Sequence, residues 1–100
     1  MRLRSLTTMI NAATAPAISQ AYYDPEWRDR DLEHGQCALE VNGSATSFSL
    51  QPQISLDGTA WWNYGNAITA VGISYLSIYT PYFRVDLTAV SGGNVTVRGV

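Results

Sequence analysis

Residues 82–98, YFRVDLTAVSGGNVTVR, decide how the rest of the chain is read. Phe83, Val85, Leu87 and Ala89 alternate with Arg84, Asp86 and Thr88. After Ser91-Gly92-Gly93-Asn94, Val95 and Val97 alternate with Asn94, Thr96 and Arg98. A period of two places successive side chains on opposite faces of a strand, and the apolar set is rich in β-branched and aromatic types. Two such runs joined by a glycine-rich turn form a half-buried antiparallel hairpin. Working back from it, Cys37, Leu39 and Val41 share one face, as do Phe48, Leu50 and Ile54, with Gln51 and Gln53 opposite. Asn42-Gly43, Asp57-Gly58, Gly65-Asn66 and Thr80-Pro81 punctuate the runs. These residues tolerate positive φ or fix a bend. Short strands with frequent turns predict an all-β fold, an antiparallel β-sandwich of jelly-roll-like form. Pro52 has no N–H to give a ladder, so its strand is expected at a sheet edge or with a bulge.

One hundred residues suffice for one two-layer domain and no separate catalytic lobe. Residues 35–100 are read as the sandwich core, 22–34 as a charged aromatic loop, and 1–21 as an extended N-terminal arm or a first strand. The start, MRLRSLTTMINAATAPA, has the arginines and small residues of a signal peptide, but Thr7, Thr8 and Asn11 interrupt its apolar run, so it is read as part of the domain. No stretch approaches the roughly 20 apolar residues of a membrane span, and no membrane partner is expected.

The chain has 46% hydrophobic and 14% charged residues, few charges for a fully solvated surface, so part of that surface is expected to meet protein. There is no lysine, and the six arginines, Arg2, Arg4, Arg28, Arg30, Arg84 and Arg98, are scattered on a chain of net charge −2. A nucleic-acid binder needs a basic stripe to displace counterions, so nucleic acid is not an expected partner. Within 24–34, five acids and two arginines give −3, leaving +1 of the −2 total to the rest. The molecule is electrically lopsided.

Catalytic and metal chemistry find little to work with. His34 is the only histidine, no G-x-S-x-G elbow accompanies Ser44, Ser47 or Ser49, and a solvated loop histidine is the simpler reading. Asp29, Asp31 and Glu33 precede Gly35 in a D-x-D-x-E-x-G pattern that departs from calcium-loop spacing, so they are read as a solvated charge run. Cys37 is the only cysteine, which excludes an intrachain disulfide. The expectation is no enzyme, no cofactor and no metal.

If Asp57-Gly58 is a two-residue hairpin turn, Ile54 pairs with Trp61 and Gln53 with Trp62, which sends Trp61 into the core and Trp62 outward; a longer turn exchanges these roles. Trp62, Tyr64, Tyr75, Tyr79 and Tyr82 would also suit a sugar-stacking platform, making carbohydrate a second class of ligand. Tyr22, Tyr23, Trp27 and Arg28 fall outside the regular strands. Together with Arg2 and Arg4 of the basic N-terminus and with Trp62, they are the expected partner-binding residues, because aromatics and arginine are enriched at interface centres.

Three stretches carry a resemblance. They are TTMINA at 7–12, ISLDGTAW at 54–61, and YFRVDLTA at 82–89 continuing through GGNVTVRG at 92–99. The chain resembles small β-sandwich structural proteins of tailed bacteriophage virions, of the capsid decoration or cement type or the neck and tail accessory type. That resemblance implies a non-enzymatic virion component on the particle surface, a capsid decoration protein binding the major capsid protein, or else a neck, tail or fibre protein. It also implies homo-oligomeric or lattice-bound assembly. The segment YYDPEWRDRDLEH at 22–34 and Trp62 lie outside the shared pattern.

Overall fold

The computed structural model describes residues 1–3, 5–31 and 34–100. Its strands are β1 (Thr7–Ala13), β2 (Ala17–Ile18), β3 (Tyr22–Tyr23), β4 (Gln36–Asn42), β5 (Ser47–Ser55), β6 (Trp62–Asn63), β7 (Gly72–Ser77), β8 (Tyr82–Ser91) and β9 (Val95–Gly99). They form two antiparallel sheets, one ordered β1-β9-β4-β7 and the other β2-β8-β5-β6, with β3 also on β8. The pairs β1 with β9, β2 and β3 with β8, β4 with β7, and β5 with β6 are those of one long antiparallel ribbon folded back on itself. That winding is a jelly roll, and the sandwich expected from the alternation is present.

The core lies between the two inner faces. Cys37, Leu39, Val41, Val95 and Val97 of the first sheet meet Phe48, Leu50, Phe83, Val85 and Leu87 of the second, with Met1, Met9, Ile10 and Ile78 closing the cluster. Two positions depart from the simple alternation. A register shift between Ser49 and Leu50 changes the phase of the ladder, so Ala89 turns outward and Val90, opposite Phe48, packs inward instead. Ile54 is only partly buried because its cross-strand neighbour is Trp62 of the two-residue edge strand.

The edge or bulge that Pro52 led us to expect in its own strand is not found: β5 lies between β8 and β6, and the shift at Ser49 places its extra residue, Thr88, in β8, away from the regular Pro52–Val85 pair. Ser19 accounts for the position of the proline. Its N–H donates to the Val85 carbonyl at 2.9 Å, and its Oγ accepts from the Val85 N–H at 3.0 Å. Val85 therefore spends its backbone groups on the Ser19 side, and the nitrogen of its partner Pro52 points toward the β6 side. There the Pro52 carbonyl accepts from the Tyr64 N–H at 2.9 Å, and no N–H is required.

The described residues of the 1–21 segment fold back onto their own domain. β1 pairs with β9 through two register shifts, and Ala12 sits at φ 49° while donating its N–H to Thr96 Oγ1. The run that mimics a signal peptide thus supplies Met9 and Ile10 to the core. Met1 is also buried, and its amino group donates to the carbonyls of Gly35 and Ile78. The segment read as a loop, 22–34, begins as strand: Tyr22 pairs with Phe83 and packs on the core, and Tyr23 pairs with Tyr82. Deleting it would remove structure, not only surface.

Candidate interaction surface

The expected partner-binding residues separate into two neighbourhoods. The first is a cleft of about 440 Å³ lined by Arg2, Leu3, Tyr23, Asp24, Pro25, Glu26 and Arg30. Asp24, only 3% exposed, holds Arg30 through paired bonds of 2.9 Å to Nε and Nη2 and also accepts from the Glu26 N–H at 3.1 Å. Burial works to raise the Asp24 carboxyl, but the Arg30 hydrogen bond, the Glu26 N–H and the Arg30 charge together hold it below its ordinary value. Arg2 of the basic start thus lines the same cleft as Asp24 and Glu26 of its own chain's acidic segment. Arg4 lies outside the described residues. In the short 3-10 turn at Trp27–Asp29, the Arg28 guanidinium stands 5.0 Å from the ring centre of half-buried Trp27.

The second neighbourhood is the outer face of the β8–β5–β6 sheet. Tyr23 and Tyr82 stack with ring centres 5.0 Å apart. One row along, Arg84 Nε donates to Gln53 Oε1 at 2.8 Å, Gln53 Nε2 donates to Asn63 Oδ1 at 3.0 Å, and Arg84 lies over the Trp61 ring at 4.2 Å. The strip arises because Gln53 faces Arg84 and Ser55 faces Tyr82 across the ladder. The sequence had placed Gln53 and Arg84 on the solvent face but had not brought Trp61 to them.

The turn before Trp61 explains that displacement. Ser55 Oγ accepts from the N–H groups of Asp57 and Gly58, and Asp57 Oδ1 accepts from the N–H groups of Thr59 and Ala60 and from Ser55 Oγ. These bonds close a loop longer than two residues, so Ile54 pairs with Trp62 and Gln53 with Asn63. Trp61 falls outside the strand and lies half-buried on the outer face, correcting its assignment to the core. Trp62 projects into solvent, 69% exposed. The ISLDGTAW pattern is thus a self-capped turn: backbone N–H groups hold Asp57 below its ordinary pKa, Ala60 first, then Thr59, with the Ser55 hydroxyl assisting.

The tyrosine platform is not assembled. Tyr75 stands on the first sheet, Trp62 and Tyr82 on the second, while Tyr64 donates to the Ser77 carbonyl and Tyr79 to the Asp31 carbonyl. His34 Nδ1 is 2.8 Å from Asp31 Oδ1, which also accepts the His34 N–H, a local turn contact. Among the described residues no three His, Cys, Asp or Glu side chains converge as metal ligands, and Glu33 lies outside those residues. Among them, no helix is long and apolar enough to cross a membrane.

The fold is similar to that of a solved structure, the SPBc2 prophage-derived protein YomS, with a TM-score of 0.71 over 95% of this chain and 88% of that one, at 18% identity. At that identity the likeness is one of fold. No protein-family model and no curated protein matches the chain.

Proposed function

We propose that this chain is a non-enzymatic structural protein of a phage particle, a capsid decoration protein that seats on the major capsid protein at the particle surface. The observation that carries the reading is the jelly roll shared along nearly the whole chain with a prophage-derived protein. The surface supports it. Tyr23, Tyr82, Trp61 and Arg84 form a contiguous outward strip of the residue types that dominate binding energy, on a rigid sheet that does not use them as core. The adjoining cleft, with Arg2 at its lip and Asp24 and Arg30 paired within, adds a polar rim. The His34 and Asp31 pair serves a turn, which favours binding over catalysis.

The test is the copy number of the chain in particles purified from the phage that encodes it. Hundreds of copies, in fixed ratio to the major capsid protein by gel densitometry, are expected. A handful would instead favour a neck, tail or fibre protein, and absence from particles would overturn the virion reading. The solvent exposure of the Trp62 ring favours a second reading, a carbohydrate-binding module. Retention on a glycan array that is lost in Trp62→Ala would support it.

A further inference from the structure

Strand β7 ends the first sheet, and it has no lysine, proline, charged residue or bulge to blunt its outer edge. Its ladder with β4 runs without a shift from Gln36↔Ser77 to Val41↔Gly72. The sequence from Gly58 to Phe83 contains no charged residue. Natural edges are blunted by lysine, proline, bulges or inward charges, and an unprotected apolar edge is a site for pairing with another strand.

The hydrogen-bond phase shows which groups this edge offers. Ile78 N–H donates to Gly35 O at 2.9 Å, and Ala38 exchanges both its bonds with Val100 on β9. Cys37, Leu39 and Val41 therefore bond to Leu76, Ser74 and Gly72, and the N–H and C=O of Ile73 and Tyr75 point away from the sheet. At Ser77 the outward carbonyl is taken by the Tyr64 hydroxyl, which closes that end. The side chains agree with the backbone: Ile73 and Tyr75, which share the outer face, are 61% and 70% exposed, and Val71 just before the strand is 61% exposed. Beside them Ala38, Val100 and Arg2 line a shallow groove against Tyr75.

We propose that β7 pairs antiparallel with the β7 of a second copy of this chain, about a two-fold axis at Ser74, joining the two first sheets into one continuous sheet. In that register Ile73 exchanges backbone bonds with the partner's Tyr75, and Tyr75 with the partner's Ile73. Each contact sets an aromatic ring against a β-branched side chain, a favourable cross-strand pair. The contact is self-complementary, as a two-fold interface requires. It opposes uncharged segments, so no like charges meet. Gly35 lies beside Ile78, at one end of the strand, and its N–H bonds to the Asp31 carbonyl, so the two-fold places the acidic residues up to Asp31 at opposite ends of the joined pair. The buried area is on the order of 1,000 Å² in total, at the low end of specific interfaces, so the dimer dissociates on dilution. The pairing does not depend on what else the protein binds.

Sedimentation velocity of the full chain from about 1 to 200 μM tests it, given that micromolar affinity spans that range. The wild type is expected to pass from monomer to dimer. Ile73→Lys, a substitution at an exposed side chain, is expected to stay monomeric with an unchanged far-ultraviolet spectrum. Tyr75→Pro removes an outward N–H that the β4 ladder does not use and should also abolish the dimer. A wild type monomeric throughout, or a dimer that survives Ile73→Lys, overturns the proposal. Amide exchange on the wild type decides the case even if a variant fails to fold. The Ile73 and Tyr75 amides must be protected at high concentration and lose that protection on dilution; fast exchange at both concentrations also overturns it.

Discussion

Trp61 and Arg84 stack on the outside of the sandwich, with the guanidinium carbon 4.2 Å from the ring centre. Half-exposed cation–π pairs contribute about 0.5–1 kcal/mol, whereas truncating a buried tryptophan costs about 3–5 kcal/mol. Trp61→Ala is therefore expected to lower stability by only about 1 kcal/mol in chemical denaturation. Phe83→Ala, at a fully buried position, should cost roughly 3–5 kcal/mol. Equal losses would place Trp61 in the core after all. If the strip is a binding surface, Trp61→Ala should still weaken attachment to particles far more than it weakens the fold.

The contrast between those two residues shows what alternation can and cannot convey. Phe83, Val85, Leu87, Val95 and Val97 were legible because a strand's period of two survives wherever the ladder is regular. Ala89 was misplaced because a bulge costs no sequence signature beyond one extra residue, yet it inverts every face that follows. Trp61 was misplaced because the turn length depends on where Ser55 and Asp57 send their hydrogen bonds, and Asp57-Gly58 alone is compatible with a shorter loop. Tyr22 and Tyr23 looked like loop residues because β3 is only two residues long, too short to show a period. Of the candidate surface, the aromatic and arginine types were visible; their grouping was not, since it depends on cross-strand register.

Asp24 makes acid stability a direct readout of the cleft. Its carboxyl is held below the ordinary value in the folded chain, so the Asp24–Arg30 interaction contributes fully above the unfolded pKa near 4 and is lost as pH falls through the lower, folded value. Asp24→Asn should therefore destabilise at pH 7 by roughly 2 kcal/mol, since hydrogen bonds to charged groups contribute about 1.5–3 kcal/mol and Arg30 is partly open to water. The wild type and variant should converge in melting temperature as pH drops below about 4. A constant gap from pH 7 to pH 2 would show that the carboxylate charge is not what matters.

Cys37 is fully buried, and burial pushes its thiol pKa up to about 11. Only the thiolate reacts readily, so the native thiol should resist a chromogenic disulfide reagent at pH 8 and react stoichiometrically once denaturant unfolds the chain. Rapid labelling of the native protein would mean that the first sheet opens locally near β4.

Two turn glycines provide a last, internally controlled prediction. Gly43 and Gly65 both have positive φ, 133° and 69°, so an alanine at either is strained. At Gly65 a Cβ meets nothing within 4 Å, and the φ lies in the left-handed region, where an ordinary residue costs about 1–2 kcal/mol. At Gly43 the same Cβ would stand 2.2 Å from the Asn94 carbonyl oxygen, a backbone atom at the start of β9. That carbonyl also accepts from the Ala45 N–H at 3.1 Å, while the Asn94 side chain accepts from the Ser44 N–H at 3.4 Å. Relief would require moving the turn that joins β8 to β9 against the turn that joins β4 to β5, breaking those bonds. Gly43→Ala should therefore lose clearly more stability than Gly65→Ala, by at least about 2 kcal/mol, when both are compared in the same denaturant titration. Similar losses at the two positions would show that the two turns are not locked together at Asn94.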